Sequence, residues 1–237
     1  MEMRPEYRKK SIRSYVVRAG RMTDGQRKAF ETSWPIYGLK LADGAINADE
    51  VFGRAGPKVL EIGFGMGSFL IEMSAQKPKT NFIGMDFYHK GIRKLMTRIK
   101  KLQLENIRMA YGDVRFKVPL LFKDGELETI YINFPDPWPK KRHIKRRLIK
   151  PDFVKLIGQK LAPEGQIHLA TDSEPYAIEM LEYFNSEPMF KNQDREEGFL
   201  ESRVDLPKTK YEKNFINAGH KIYYLEYSRL GVSKPIT

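Results

Sequence analysis

Cysteine is absent from all 237 residues, which removes disulfides, thiolate zinc sites and cysteine nucleophiles at once. A reducing cytoplasm is the simplest location for such a chain. No stretch approaches the roughly 18 uninterrupted apolar residues of a membrane-spanning helix. The first residues, MEMRPEYRKKSIRSY, have no apolar core and no small-residue cleavage site, so they do not read as a secretory signal. Neither His143 nor His168 has companions at metal-ligand spacing, and no metal is expected. No internal repeat or low-complexity tract interrupts the chain, and no segment asks for an obligate protein partner.

Acidic residues are the next scarcity, and it is local. Residues 140–150 hold seven Lys or Arg and no acid, and residues 1–28 hold nine against three. The whole chain carries a formal net charge of +12. A surplus gathered in two segments favours a polyanionic partner, bound by neutralising phosphates and releasing their counterions. Nucleic acid is the leading candidate. Residues 1–32 lack a clear apolar period and are expected to form a mobile or conditionally ordered basic arm, in which Tyr15, Val16 and Val17 can dock locally. Residues 33–237 are expected to form the main folded domain.

From Pro57 onward, short apolar runs alternate with helical patterns. Strands are expected at 58–64, 80–87, 106–113, 127–134, 165–172 and 221–229, and helices at 68–76, 89–102, 151–161 and 174–185. Within 89–102 the spacing places Ile92, Leu95, Met96, Ile99 and Leu102 on one face of a basic helix. This alternation predicts a doubly wound, Rossmann-like α/β fold, with a mostly parallel sheet covered on both faces.

The first strand runs into Glu61-Ile62-Gly63-Phe64-Gly65-Met66-Gly67. A dinucleotide fingerprint needs a third glycine where Ser68 stands, so this glycine spacing disfavours hydride transfer. Three acids accompany the glycines at the carboxyl ends of successive strands: Glu61, Asp86 and Asp113. Asp86 is placed to accept hydrogen bonds from a ribose diol, and Asp113 from the amino group of an adenine. Glu61 would repel a pyrophosphate but suits a positively charged cofactor, such as the sulfonium and ammonium of S-adenosyl-L-methionine. The set resembles class I methyltransferases.

After the fourth strand comes NFPDPWPKKRHIKRR (133–147), a proline-stiffened elbow that continues into the basic run. LEIGFGMG, FPDPWPKKRHIKRR, ATDSEPYA and TKYE, in that order, together with RAGRMTDGQ and WPIYG, resemble the bacterial tRNA (guanine-N7-)-methyltransferase family over almost the whole chain. The resemblance implies a class I fold with an antiparallel last strand, S-adenosyl-L-methionine as cofactor, and tRNA as partner. It implies methylation of guanosine 46 in the variable loop. It also implies a cofactor site of Glu61, Gly63, Gly65, Gly67, Asp86, Asp113 and Asp136, and a substrate site of Lys140, Asp172, Thr209, Lys210, Tyr211 and Glu212. One departure is Asp86, where several relatives carry Glu, a reach shorter by a methylene.

Guanine N7 carries a lone pair and no proton, so it needs no general base before attack. A fixed carboxylate gains interaction energy as the base turns cationic, which assigns Asp136 the catalytic role and leaves open whether it addresses the base, the cofactor or both. Trp138 either stacks a base or braces the elbow. Lys141, Arg142, Arg146 and Arg147 are candidates for the tRNA backbone.

Overall fold

The computed structural model describes residues 24–39, 45–194, 196, 198–203 and 205–231. Residues 1–23 lie outside them, and with them the expectations for Tyr15, Val16 and Val17. The chain runs α1 (Asp24–Tyr37), α2 (Ala48–Phe52), β1 (Lys58–Ile62), α3 (Ser68–Gln76), β2 (Asn81–Asp86), α4 (His89–Leu102), β3 (Ile107–Tyr111) and α5 (Val114–Leu121). It continues through β4 (Leu127–Asn133), a 3-10 turn (Lys141–Arg146), α6 (Pro151–Lys160), β5 (Leu161–Thr171), α7 (Glu174–Asn185), β6 (Phe190–Asn192), α8 (Lys210–Asn217) and β7 (Tyr223–Arg229).

The strands form one seven-stranded sheet in the order β3-β2-β1-β4-β5-β7-β6. All neighbouring pairs from β3 to β5 are parallel, and β7 is antiparallel to both β5 and β6. This is the expected class I methyltransferase topology. Strand order reverses between β1 and β4, so the connections leaving their carboxyl ends diverge and open a crevice there.

Side-chain alternation along the strands builds two cores. Leu60, Ile83, Ile130 and Ile167 face one layer, packed by Val118 of α5, Phe153 and Ile157 of α6, and Met180 and Phe184 of α7. Val59, Phe82 and Tyr131 face the other, packed by Phe69 and Met73 of α3 and by Ile92, Leu95, Met96 and Ile99 of α4. The helices at 68–76, 89–102 and 174–185 have the expected bounds.

Leu102 differs from its expectation, being 50% exposed. It lies within about 20° of the buried Leu95 around the helix, so its exposure comes from its place as the last residue of α4, which stops at the left-handed Gln103. Helix α1 begins at Asp24 and so crosses the boundary at residue 32 suggested by the sequence pattern. Phe30, Trp34 and Tyr37, at i, i+4, i+7 spacing, fix it against the second core.

Leu95 is fully buried whereas Leu102 is at the helix end in solvent. Leu95→Ala is expected to lower the unfolding free energy by about 2–5 kcal/mol through the cavity it leaves. Leu102→Ala is expected to change it by less than about 0.5 kcal/mol. Urea denaturation of the two variants measures the contrast.

Candidate active site

The crevice is a cavity of about 670 Å³ with the glycine loop on one side and the elbow after β4 on another. Gly63, Gly65 and Gly67 all have left-handed φ, at 75°, 55° and 70°, which side-chain-bearing residues rarely adopt. Their roles separate on what an added Cβ would meet. At Gly63 and Gly65 it would project into open space, and both residues line the cavity. At Gly67 it would lie 2.8 Å from Cδ1 of Leu95, so this glycine serves the seating of α3 on α4 rather than the cavity wall. Gly91, absent from the sequence-based site, belongs to the same device: its Cβ would stand 1.8 Å from the Gly65 carbonyl oxygen, so α4 approaches the loop only because residue 91 is bare.

Asp86 holds this loop in shape. Its Oδ2 accepts from the Gly65 amide at 2.6 Å, and its Oδ1 accepts from the amides of Phe87 and Tyr88 at 2.6 and 2.8 Å. Burial pushes its carboxyl up, the three donors hold it down, and the charge of Asp136 pushes it up again. Both acids line the cavity.

Glu61 is 2% exposed and lies on the cavity wall. Its Oε1 accepts from Nδ2 of Asn133 at 3.3 Å, and its Oε2 has no hydrogen-bond partner. Burial pushes the carboxyl up to about 8, against the pull of Asn133 and Arg203 and with a further push from Asp86. A buried carboxyl in this state is ready to ionise for an incoming cation.

Asp113 has the expected position at the end of the third strand but a different use. It caps α5, its Oδ1 accepting from the Arg115 amide and Nε at 3.1 and 3.0 Å and its Oδ2 from Nη2 of Arg115 at 2.6 Å. It does not line the cavity, whereas its neighbours Gly112 and Val114 do. Asp113 thus orders the start of α5 between two residues of the cavity wall, since a short carboxylate at a helix start satisfies its free amides.

The elbow bends through two aromatic residues in left-handed conformation, Phe134 at φ 52° and Trp138 at φ 45°. Such bulky residues hold this conformation only when their surroundings enforce it. The Phe134 amide donates to the Ala170 carbonyl at 2.8 Å, and its ring stacks on Phe215 of α8 at 5.7 Å with Tyr211 beyond at 6.5 Å. Between the bends, Asp136 is open to solvent at the cavity wall, and partial desolvation raises its carboxyl above the ordinary range.

The basic run divides. Lys140, Lys141 and Arg142 are exposed and outside the cavity wall. Arg146 lays its guanidinium over Trp138 at 4.9 Å, and His143 meets the same indole edge-on at 5.6 Å. Trp138 therefore braces the elbow. Arg147 is 6% exposed: Nε donates to the Pro137 carbonyl at 2.8 Å, Nη1 to Oε2 of Glu179 at 2.7 Å, and the guanidinium stacks over Tyr176 at 4.7 Å. The expectation that Arg147 meets tRNA phosphate is corrected, because this arginine is spent on latching the elbow to α7.

The substrate-side residues also divide. Asp172, Thr209, Lys210 and Tyr211 line the cavity, and Tyr211 is 63% exposed. Glu212 does not line it: at 2% exposure it accepts from Nη2 of Arg203 at 2.6 Å and from the Tyr224 hydroxyl at 2.8 Å. Thr209 and Glu212 form a reciprocal capping box at the start of α8, each accepting from the other's amide. Within the turn that the family resemblance gave as substrate-binding, the Glu212 carboxylate faces inward and holds the start of α8. T-x-x-E is itself a helix-start signal, so this helix was open to a reading from sequence. Asn133 and Phe134 stand in the elbow motif without a role assigned to them, and no sequence motif singled out Arg203 or Phe215. Among the described residues there is no group of three or more His, Asp or Glu that could hold a metal ion.

These placements separate Arg142 from its neighbour in role. Arg147→Met is expected to cost roughly 1–3 kcal/mol of stability through its lost charged hydrogen bonds. Arg142→Met is expected to leave stability unchanged, weaken tRNA binding and reduce its salt dependence. Thermal unfolding and binding at several salt concentrations read the two effects separately.

The family model described as "Putative methyltransferase" matches residues 55–225. A tRNA (guanine-N(7)-)-methyltransferase of Saccharophagus degradans is 42% identical over 227 residues, covering 96% of this chain and 99% of its own length. One from Stutzerimonas stutzeri is 40% identical, covering 94% and 93%. Among solved structures, the antibiotic-resistance methyltransferase Kmr shares the fold at TM-score 0.54 and 16% identity, with 83% of this chain and 99% of that one covered. A fold built around a glycine-lined cavity with acids on its wall, and relatives this similar from end to end, together place the chain in the bacterial tRNA (guanine-N7-)-methyltransferase family.

Proposed function

We propose that the protein transfers the methyl group of S-adenosyl-L-methionine to N7 of guanosine 46 in the variable loop of cytoplasmic tRNA. The observation that carries this reading is Glu61, a buried carboxyl with an unpartnered Oε2, on the wall of a cavity that Asp136 also lines. When bound, S-adenosyl-L-methionine supplies an electrophilic methyl group and a permanent positive charge. The residues present fit it: an unpartnered acidic oxygen for the charge, and two glycines whose missing side chains leave the space open.

The chain's contribution is placement and electrostatics. Glu61 offers a carboxylate to a cation in a desolvated setting, where the interaction is strong. Asp86, with three of its lone-pair directions taken by backbone amides, keeps capacity on Oδ2 for a ribose hydroxyl. Phe134, Tyr211 and Phe215 give the substrate side an aromatic surface suited to a base. Asp136 needs to remove no proton, because N7 carries none. Its fixed charge instead favours the transition state, in which the guanine ring becomes cationic. Lys140, Lys141 and Arg142, exposed beside the elbow, are suited to the tRNA backbone.

The test is to incubate unmodified tRNA with the protein and S-adenosyl-L-methionine, then identify nucleosides and modified fragments by mass spectrometry. 7-Methylguanosine is expected at position 46. Asp136→Asn is expected to lower kcat on the order of 10²–10³-fold while tRNA binding is retained. Absence of 7-methylguanosine, or methylation of another base, overturns the assignment.

A further inference from the structure

The carboxyl at the cavity wall is connected, away from the cavity, to the helix on the opposite side of the site. Arg203 stands in the segment before α8 with its side chain 3% exposed. Its Nη1 donates to Oδ1 of Asn133 at 2.6 Å, and its Nη2 to Oε2 of Glu212 at 2.6 Å. Asn133 in turn donates Nδ2 to Oε1 of Glu61 at 3.3 Å. Glu212 also accepts from the Thr209 amide at 3.1 Å and the Tyr224 hydroxyl at 2.8 Å, which fixes the start of α8. The guanidinium lies over the Tyr224 ring at 5.1 Å. Arg203 thus bridges the end of β4 and α8, whose Tyr211, Asn214 and Phe215 line the cavity.

We propose that Arg203 is a positioning residue coupling the two halves of the site: through Asn133 it aims the donor at Glu61, and through Glu212 it holds α8. A cation bound at Glu61 then steadies the helix on the substrate side, and substrate contact with α8 tightens the hold on the cation. This rests on the reading above in one respect, that Glu61 meets a cationic cofactor.

The amide of Asn133 has only one useful orientation. With Oδ1 accepting from a guanidinium, Nδ2 must point to Glu61; a flipped amide would set donor against donor. The charged and titratable groups facing Glu61 are Asp86 from β2, Tyr131 from β4 and Arg203. Burial favours the neutral form of Glu61, while Arg203 pairs directly with Glu212. Ionisation of Glu61 turns the Asn133 hydrogen bond into a charge-assisted one and polarises the chain through Arg203 to Glu212. Coupling of this kind acts equally in both directions.

The test uses the full chain, S-adenosyl-L-methionine and tRNA already carrying 7-methylguanosine at position 46, so that no methyl transfer consumes the cofactor during the titration. Cofactor affinity is measured by calorimetry with and without tRNA, and hydrogen exchange is followed across residues 210–217 with and without cofactor. In the wild type, tRNA is expected to tighten cofactor binding about fivefold or more, and cofactor is expected to slow exchange in α8. Arg203→Met/Glu212→Gln removes both members of the buried pair, so neither charge is stranded. Arg203→Lys keeps the charge but not the two-pronged reach, and serves if the double variant fails to fold. Both variants are expected to bind cofactor while losing the tRNA effect and the added protection of α8. Retention of both effects in a folded variant, or their absence in the wild type, overturns the proposal. A wild type that fails to bind S-adenosyl-L-methionine overturns the functional reading, and the proposal with it.

Discussion

A carboxyl group removed from water and left with one oxygen unpaired is a costly thing to build, and Glu61 is such a group. The sheet makes it possible. Glu61 is the fourth residue of β1, hydrogen-bonded between β2 and β4 where the strand order reverses, so its backbone cannot retreat from the crevice. Asn133 comes from the end of β4, Asp86 from the end of β2, and Arg203 from the segment leading to α8. Burial keeps the acid protonated near neutrality, which limits the cost in the empty protein. The same burial makes a cationic ligand the natural partner, because that ligand alone brings the charge the site lacks.

The elbow solves a different problem, holding an exposed carboxylate still. Asp136 has proline on both sides and left-handed aromatic residues two positions away on either side. That strained path is fastened at both ends. Phe134 is tied to Ala170 and stacked on α8, and Pro137 is held by a buried arginine that also pairs with Glu179. The positive charge after the elbow is therefore shared between two tasks. Arg146 and Arg147 pack on the corner and stiffen it, while Lys141 and Arg142 stay in solvent.

Much of this was legible in the sequence, for physical reasons that also mark the limits. Glycine spacing and strand-end acids located the crevice, because a parallel sheet leaves few other places for them. Periodicity gave α3, α4 and α7 their bounds, since their buried stripes are long. It failed for Leu102, which ends α4 beside the left-handed Gln103, and for α1, whose stripe of Phe30, Trp34 and Tyr37 carries Pro35 within it. Charge alone could not distinguish Arg147 from Arg142. Burial decides it, and burial depends on Tyr176 and Glu179, about thirty residues further along the chain. Arg203 was invisible for the same reason: its partners Asn133 and Glu212 meet only in the folded sheet.

The central claim is that Glu61 is neutral in the empty site and ionises when a cation binds. Calorimetric titration of S-adenosyl-L-methionine into the protein near pH 7, repeated in buffers of different ionisation enthalpy, counts the protons exchanged. With a carboxyl at about 8 in the empty protein, binding should release close to about one proton per cofactor, and Glu61→Gln should abolish the release. Binding with no proton release in the wild type would show that Glu61 is already ionised, and would contradict the account.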